Sequence, residues 1–130
     1  MASSTSGGPK QEELAPIDWV HSERDALARA RRTGRPLLVW IRAGWETASL
    51  EMERRSWTDP AVIQAARPFI ALRLDMTETE GDAERYAERY DVKMVPTTIL
   101  FGLGGRQMQT LTGFQDAAVL AAALRAAAAP

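Results

Sequence analysis

Cysteine is absent from this chain of 130 residues, and histidine occurs once, as His21. Disulfide exchange needs a thiolate as the attacking group, so thiol redox chemistry is excluded. Zinc and copper are held mainly by cysteine and histidine, so we predict no metal site, and we expect no cofactor. A serine nucleophile would need a base, and nothing in the sequence brings His21 to Ser49, so we predict no catalytic residues.

A dominant charge and long apolar runs are missing as well. The net charge is −1, which gives no pull toward nucleic acid or an anionic membrane. No apolar run approaches the length of a membrane span, and Met1–Gly8 lacks the basic and apolar regions of a signal peptide. We therefore expect a cytoplasmic protein that does not insert into membranes. The length suits one domain, which we place at residues 16–130 behind a flexible N-terminal tail at 1–15.

The remaining pattern alternates between strands and helices. Ser22 begins a predicted helix through Arg32, and Gly34 ends it. The apolar run at 37–42 is typical of a strand that is covered on both faces. Further helices are predicted from about 46 to 56, from Asp59-Pro60, over 80–90 and from 116 to about 127. Further strands are predicted over 69–74, 97–101 and 106–111. Gly102–Gly105 should join the last two strands as a hairpin. This order predicts an α/β fold with a mixed sheet.

Charge is less even locally than in total. Residues 21–42 hold six arginines against two acids, whereas residues 75–91 hold seven acids against two arginines. These segments are either two solvated helix faces or a pair of docking surfaces. The acids from Asp75 to Glu84 lack the spacing of a calcium-binding loop, so we predict that they are solvated. In the helix at 80–90, four residues share one apolar face: Ala83, Tyr86, Ala87 and Tyr90.

Several segments, in the same order, resemble proteins of the thioredoxin-like superfamily. They are the lead-in to the first long strand at 34–40, the active-site segment at 43–53, and the segments 57–62, 69–75, 90–98 and 112–114. The resemblance implies a thioredoxin-like fold, a central mixed β-sheet flanked by helices. Among subfamilies, the chain is most similar to the C-terminal thioredoxin-like domain of transmembrane thiol:disulfide interchange proteins and their stand-alone relatives.

Both cysteines of the family's Trp-Cys-x-x-Cys segment are replaced. Glu46 stands where the nucleophilic thiol belongs, and Ser49 stands where the resolving thiol belongs. Trp40 takes the place of a buried acid that exchanges protons with the thiols in many members, and it offers only packing and one N–H donor. Glu46 is either a residue favoured by the helix N-terminus or an anion kept for a basic group of a partner.

A peptide-binding loop is the feature of the family that this chain has most reason to keep. The resemblance implies a cis bond before Pro96, and a backbone before it that pairs with an extended segment of another protein. The loop is equally explained as structural retention. We predict a partner-binding surface formed by Trp45, Glu46, Ser49, Met94, Val95, Pro96 and Gly113.

The predicted function is therefore that of a redox-inactive protein-interaction or assembly module, not an enzyme. Its partner would be a protein, with no nucleic acid involved. Two alternatives remain open: a cysteine-free variant of a thiol:disulfide oxidoreductase, and a chaperone-like holder of unfolded clients. Restoring cysteine at positions 46 and 49 separates the first alternative from the main hypothesis, and broad rather than single-partner binding marks the second.

Overall fold

The structure is a computed structural model that describes residues 15–77 and 80–130, except for the side chains at 80–83. The tail predicted at 1–15 lies outside the described residues, apart from Ala15. Among the described helices, none has the length and apolar character needed to span a membrane.

Strands and helices alternate along the described chain, as the sequence predicts. The strands are β1 (Trp19–Val20), β2 (Leu37–Arg42), β3 (Ile70–Asp75), β4 (Thr97–Phe101) and β5 (Gln107–Thr112). The helices are α1 (Glu23–Thr33), α2 (Thr47–Arg55), α3 (Pro60–Ala66), α4 (Glu80–Arg89) and α5 (Ala117–Ala128). A short 3₁₀ turn, Leu103–Gly105, joins β4 to β5. β3 begins and ends one residue later than predicted, and β1 is a strand that the sequence analysis missed.

The five strands form one mixed sheet in the order β1-β3-β2-β4-β5. β1 and β2 run parallel to β3, whereas β4 runs antiparallel to both β2 and β5. Thr97, the first residue of β4, lies opposite Ile41 near the end of β2 and opposite Thr112 at the end of β5. The chain therefore leaves β2, enters β4 and leaves β5 at the same end of the sheet.

Helices cover both faces of the sheet, and the central strand β2 is buried along its whole length. Because side chains alternate along a strand, Leu38 and Trp40 pack into one core and Val39 and Ile41 into the other. The first core includes residues of α2, α3 and α5, and the second includes residues of α1 and α4. The mixed sheet flanked by helices is thus confirmed.

The predicted helix ends are confirmed by their capping bonds. The Asp25 N–H donates to Ser22 Oγ at 3.1 Å, so Ser22 caps α1. Gly34 ends that helix in a left-handed conformation with φ of 73°, which glycine adopts without a steric penalty. Asp59 caps α3, and Pro60 occupies the first turn.

The prediction that the acids from Asp75 to Glu84 are solvated is wrong for Asp75. Its Oδ2 accepts a bond from Arg42 Nη1 at 2.7 Å, because the two residues lie side by side on β3 and β2. Glu84 is exposed, as predicted, whereas Glu78 and the side chains at 80 and 82 lie outside the described residues.

The predicted apolar face of α4 is found in part. Tyr86 is buried, and Tyr90, just beyond the helix, is half-buried. The Tyr90 hydroxyl donates to Glu23 Oε2 at 2.6 Å, and Arg89 also pairs with Glu23 at 2.9 Å. The acidic helix α4 therefore contacts the arginine-rich helix α1 directly. Ala83 has no described side chain.

Candidate protein-interaction site

Trp45 lies at the tip of a turn between β2 and α2 and is 71% exposed. On one side of the turn, the Gly44 N–H donates to Thr77 Oγ1 at 2.6 Å. On the other side, the Glu46 N–H donates to the Ala43 carbonyl at 3.2 Å. A Cβ at Gly44 would approach Thr77 Oγ1 to 3.3 Å, so glycine allows this close contact. The large indole is therefore presented to solvent by a turn whose backbone is held on both sides.

Glu46 is the N-cap of α2. Its Oε2 accepts a bond from the Ala48 N–H at 3.0 Å, and its Oε1 accepts from the Ser49 N–H at 2.7 Å and from Ser49 Oγ at 2.8 Å. Burial opposes ionisation, but these three bonds outweigh it and lower the pKa of the Glu46 carboxyl. Glu46 thus binds the free N–H groups at the start of the helix. A carboxylate accepts about four hydrogen bonds, so one acceptor position remains for a donor from outside the chain.

Ser49 lies in the first turn of α2 and is completely buried. Its hydroxyl donates to Glu46 and accepts a bond from the Ala43 N–H at 3.3 Å. A hydroxyl without solvent contact cannot reach an outside electrophile. Ser49 therefore acts as an internal link between the Trp45 turn and the cap of α2, rather than as a surface that a partner could touch.

The three residues before β4 differ in their accessibility. Met94 is 51% exposed, Val95 is half-buried and Pro96 is buried, and the bond between the last two is cis. The Met94 carbonyl accepts a bond from Thr97 Oγ1 at 2.6 Å, and the Pro96 carbonyl accepts one from the Gly113 N–H at 2.7 Å. The Val95 N–H and carbonyl have no hydrogen-bond partner among the described residues.

The sheet register brings the predicted site segments to one end of the fold. Ile41 lies opposite Thr97, so continuing the β2–β4 register by two residues places Ala43 opposite Val95. Gly113 follows β5 and contacts this loop, because a Cβ placed on it would lie 3.8 Å from Met94 Cε. Trp45, Met94 and Gly113 are therefore all near the surface at the same end of the sheet.

Phe114 is a site residue that the sequence analysis left out of the predicted surface. It is 39% exposed, and the Arg55 guanidinium lies 5.8 Å from the centre of its ring. The next residue, Gln115, is tied to α2, because Ser56 Oγ donates to its carbonyl at 2.6 Å. The motif at 112–114 is the sequence signal that could have placed Phe114 on the predicted surface, since Gly113 of the same motif was placed there. Phe114 extends the exposed apolar surface along α2.

Beneath the Trp45 turn lies a network of charges that the sequence analysis missed. Arg42 is only 6% exposed and donates to Glu53 from Nε and from Nη2, each at 2.9 Å. Glu53 also accepts bonds from Arg73 at 3.0 Å and from Trp40 Nε1 at 3.4 Å. With the Arg42–Asp75 bond described above, two arginines balance two carboxylates. Arginine inside a buried apolar strand is the sequence signal for such a network, since a buried charge needs a partner.

The network controls the protonation of its acids. Burial alone would raise the pKa of Glu53, but hydrogen bonds from Arg42, Trp40 and Arg73 lower it below the ordinary value. The pKa of Asp75 is lowered against burial by its bonds from Thr77 and Arg42. Both carboxyls are therefore ionised and paired at neutral pH. A carboxylate stabilised in this way is a poor proton acceptor for any group at positions 46 or 49.

Comparison with known proteins identifies the family. The sequence profile of the thioredoxin-like family matches residues 18–102, and the chain belongs to this family. Thiol:disulfide interchange protein DsbD of Klebsiella pneumoniae is 30% identical over 126 residues, which cover 92% of this chain and 21% of that protein. DsbD 1 of Pseudomonas aeruginosa is 36% identical over 105 residues, covering 79% of this chain and 18% of that protein. The chain thus spans about a fifth of these curated relatives.

Solved structures support the fold. A thioredoxin from Thermus thermophilus superimposes with a TM-score of 0.72 and 23% identity, covering 86% of this chain and 87% of that one. The reduced C-terminal domain of Neisseria meningitidis DsbD superimposes with a TM-score of 0.67 and 18% identity, covering 84% of this chain and 100% of that one. The thioredoxin-like fold and the similarity to DsbD domains predicted from the sequence are confirmed.

Replacing Glu46 by alanine tests its role as the cap of α2. Loss of a capping side chain should lower the free energy of unfolding by about 1 kcal/mol at pH 7. Glu46→Gln keeps an acceptor oxygen, so this variant should lose less stability than Glu46→Ala. Because the pKa is lowered in the folded state, the ionised cap stabilises the fold above the ordinary value of 4.5, and this contribution disappears as the pH falls through the folded-state pKa. Urea unfolding at pH 7 and pH 3 measures both effects. An equal loss for Glu46→Ala at both pH values would contradict the role of the charge.

Proposed function

We propose that this domain binds a protein partner through the exposed surface around Trp45 and performs no thiol–disulfide exchange. The observation that carries the proposal is the exposure of Trp45 on a turn whose backbone is held by hydrogen bonds on both sides. Large aromatic side chains dominate the energetics of protein interfaces. A tryptophan side chain has only two rotatable bonds, so it also loses little conformational entropy when a partner covers it.

The area around Trp45 provides further apolar contacts. Leu50, Met94 and Phe114 are between 39% and 51% exposed. Exposed apolar side chains that cluster on one surface mark interaction sites more often than isolated ones do. Methionine adapts its shape to different partners. The surface therefore has one large aromatic side chain, with smaller apolar side chains on the neighbouring segments.

The backbone of Val95 supplies a directional contact. Its N–H and carbonyl are unpaired with the described residues, whereas the neighbouring carbonyls of Met94 and Pro96 are already bonded. An extended partner segment could therefore add main-chain hydrogen bonds at this position, in the manner of an added β-strand. The remaining acceptor position of Glu46 favours a lysine or arginine in that segment.

The relatives support a protein partner but not the same chemistry. They are named for thiol:disulfide interchange, and this chain has neither cysteine of the corresponding segment. The two positions are occupied by a carboxylate and a buried hydroxyl, which form no mixed disulfide. We infer that a surface for contact with other proteins is kept in this chain while exchange is lost.

Trp45→Ala tests the proposed surface. Proteins captured from the source organism on the immobilised wild-type domain are identified, and the affinity of each is then measured by calorimetry. Trp45→Ala should lower the affinity for a specific partner about tenfold or more, which corresponds to about 1.4 kcal/mol of binding free energy. The matched control is Leu103→Ala, since Leu103 is 50% exposed but lies beyond the opposite end of β4. That variant should bind as the wild type does.

A rival surface is provided by the charged helices α1 and α4. Charge reversal at Arg31 and Arg32, or at Glu84 and Glu88, should leave partner binding nearly unchanged. If charge reversal abolishes binding while Trp45→Ala has no effect, the partner binds the helical faces and the proposed site is wrong. Binding of many unrelated unfolded proteins with similar affinity would instead favour the function of a client holder.

A further inference from the structure

The two edges of the sheet are built differently. β1 forms one edge and has only two residues, which is one of the ways in which natural proteins protect an edge from pairing. β5 forms the other edge with six residues, and every one except Leu111 is exposed. In the described part of the chain, no strand pairs with its outer side. The outer side of β5 is therefore a long row of backbone groups open to another strand.

Hydrogen bonding shows which groups of β5 point outward. The Gly113 N–H bonds to the Pro96 carbonyl on the β4 side. Since inward and outward bonding alternate along an antiparallel ladder, Leu111 and Gln109 also bond to β4. Thr110 and Thr112 consequently direct their N–H and carbonyl groups away from the sheet, whereas Met108 is skipped in the register with β4. The Thr112 carbonyl accepts a bond from Gln115 Nε2 at 3.0 Å, as expected for an outward group, and keeps a second acceptor position.

The usual protections of an edge strand are weak in β5. Charged residues and proline are absent from Gln107 to Thr112. A register irregularity occurs between Leu100 and Phe101, opposite the beginning of β5. From Gln109 onward the ladder is regular, so the irregularity does not disturb the centre of the outer edge. Nothing in the sequence of this strand opposes the approach of an identical strand.

We propose that a second copy of this chain pairs with β5 in antiparallel orientation, on a two-fold axis beside Thr110. A two-fold axis perpendicular to the sheet at Thr110 pairs positions that are equally far from Thr110 on the two strands. Thr110 therefore meets Thr110, and Met108 meets Thr112 of the second copy. The two Thr110 residues can exchange two main-chain hydrogen bonds. Thr112 of each copy adds its outward N–H and carbonyl groups on either side of the axis.

The charges of the chain also suit a second copy. The net charge of −1 gives little repulsion between copies, and no like charges meet along the paired strands. Charge therefore does not oppose the association of two copies through this edge.

Sedimentation equilibrium of the full chain tests the proposal. The wild type should shift from 14.3 kDa toward twice that mass as concentration rises into the range of tens to hundreds of micromolar, which suits a small interface. Thr110→Lys places two like charges opposite each other at the axis and should weaken dimerisation at least tenfold. Thr110→Val keeps a β-branched, uncharged side chain and should change the dissociation constant by no more than about twofold.

Thr110→Pro provides a second test through the backbone. It removes one outward N–H and no bond to β4, so the fold should be retained and the dimer lost. If this variant does not fold, the proposal is tested by Thr110→Lys. Position 110 is exposed, so a lysine there should not disturb the packing of the fold. In the wild type, the amides of Thr110 and Thr112 should exchange more slowly in concentrated than in dilute samples. A monomeric wild type at millimolar concentration, or a dimer that both variants leave intact, would overturn the proposal. Trp45→Ala should leave the mass unchanged, which separates this seam from the proposed partner surface.

Discussion

Glu53→Ala is expected to lower the free energy of unfolding by about 3 kcal/mol, the lower end of the range for breaking a buried ion pair. Glu53 accepts hydrogen bonds from two arginines and from Trp40, and one of those arginines, Arg42, is 6% exposed. Removing the carboxylate leaves Arg42 buried, with Asp75 as its only counter-ion among the described residues. The desolvation of that charge is then no longer compensated. Urea unfolding at pH 7 measures the change.

Glu51→Ala is the matched control for this variant. Glu51 lies on the same helix, two residues earlier, and pairs with Arg54 and Arg55, whose side chains are largely exposed. Solvent screens exposed ion pairs, so this variant should lose little stability. Similar losses for both variants would show that the loss at position 53 reflects the helix rather than the buried network.

The same network predicts how stability depends on pH. The pKa values of Glu53 and Asp75 are both lowered in the folded state from ordinary values of 4.5 and 3.8. Their ionised forms therefore stabilise the fold above those values, and the contribution is lost as the pH falls through the lower, folded-state pKa values. As the pH is lowered from 5, the free energy of unfolding of Glu53→Ala should fall less than that of the wild type.

The double variant Glu46→Cys, Ser49→Cys is expected to reduce insulin at pH 7 at about one hundredth of the rate of an active relative, or less. A thiolate at the first position would be favoured by the N-terminus of α2. The second thiol, however, would find no proton acceptor. Trp40 replaces the acid found there in many family members, and Glu53 is held ionised by its arginines. A positioned general base contributes about 10²–10⁴-fold, so its absence should dominate the rate.

Insulin reduction with dithiothreitol as the electron donor measures this rate. The C-terminal domain of Neisseria meningitidis DsbD is the active comparison, and the wild-type chain, which should give no turnover, is the blank. The rate of the double variant should rise with pH toward the thiol pKa of about 8.5, because deprotonation then needs no base. Turnover at pH 7 within about tenfold of the active domain would instead support the alternative of an oxidoreductase that lacks only its two sulfur atoms.

The arrangement of the site was only partly predictable from sequence. Trp45 and Met94 are exposed at the predicted surface, since the motifs that carry them occupy loops. Ser49 belonged to the same predicted set but is completely buried in the first turn of α2. Phe114 was omitted, although its exposure depends only on how the loop after β5 returns to α2. Burial of a loop residue is set by contacts that are remote in sequence, which local patterns do not encode.

Local sequence by itself determined the element order, the caps at Ser22, Gly34 and Asp59, and the absence of cysteine from the active-site segment. Each depends on residues that are adjacent in the chain or on composition alone, so no tertiary information is needed. Only the tertiary structure decided that Arg42 and Glu53 pair beneath the Trp45 turn. The same is true of the open edge of β5. Both depend on the register between strands and on the packing of a helix over them, and these are fixed when distant segments come together.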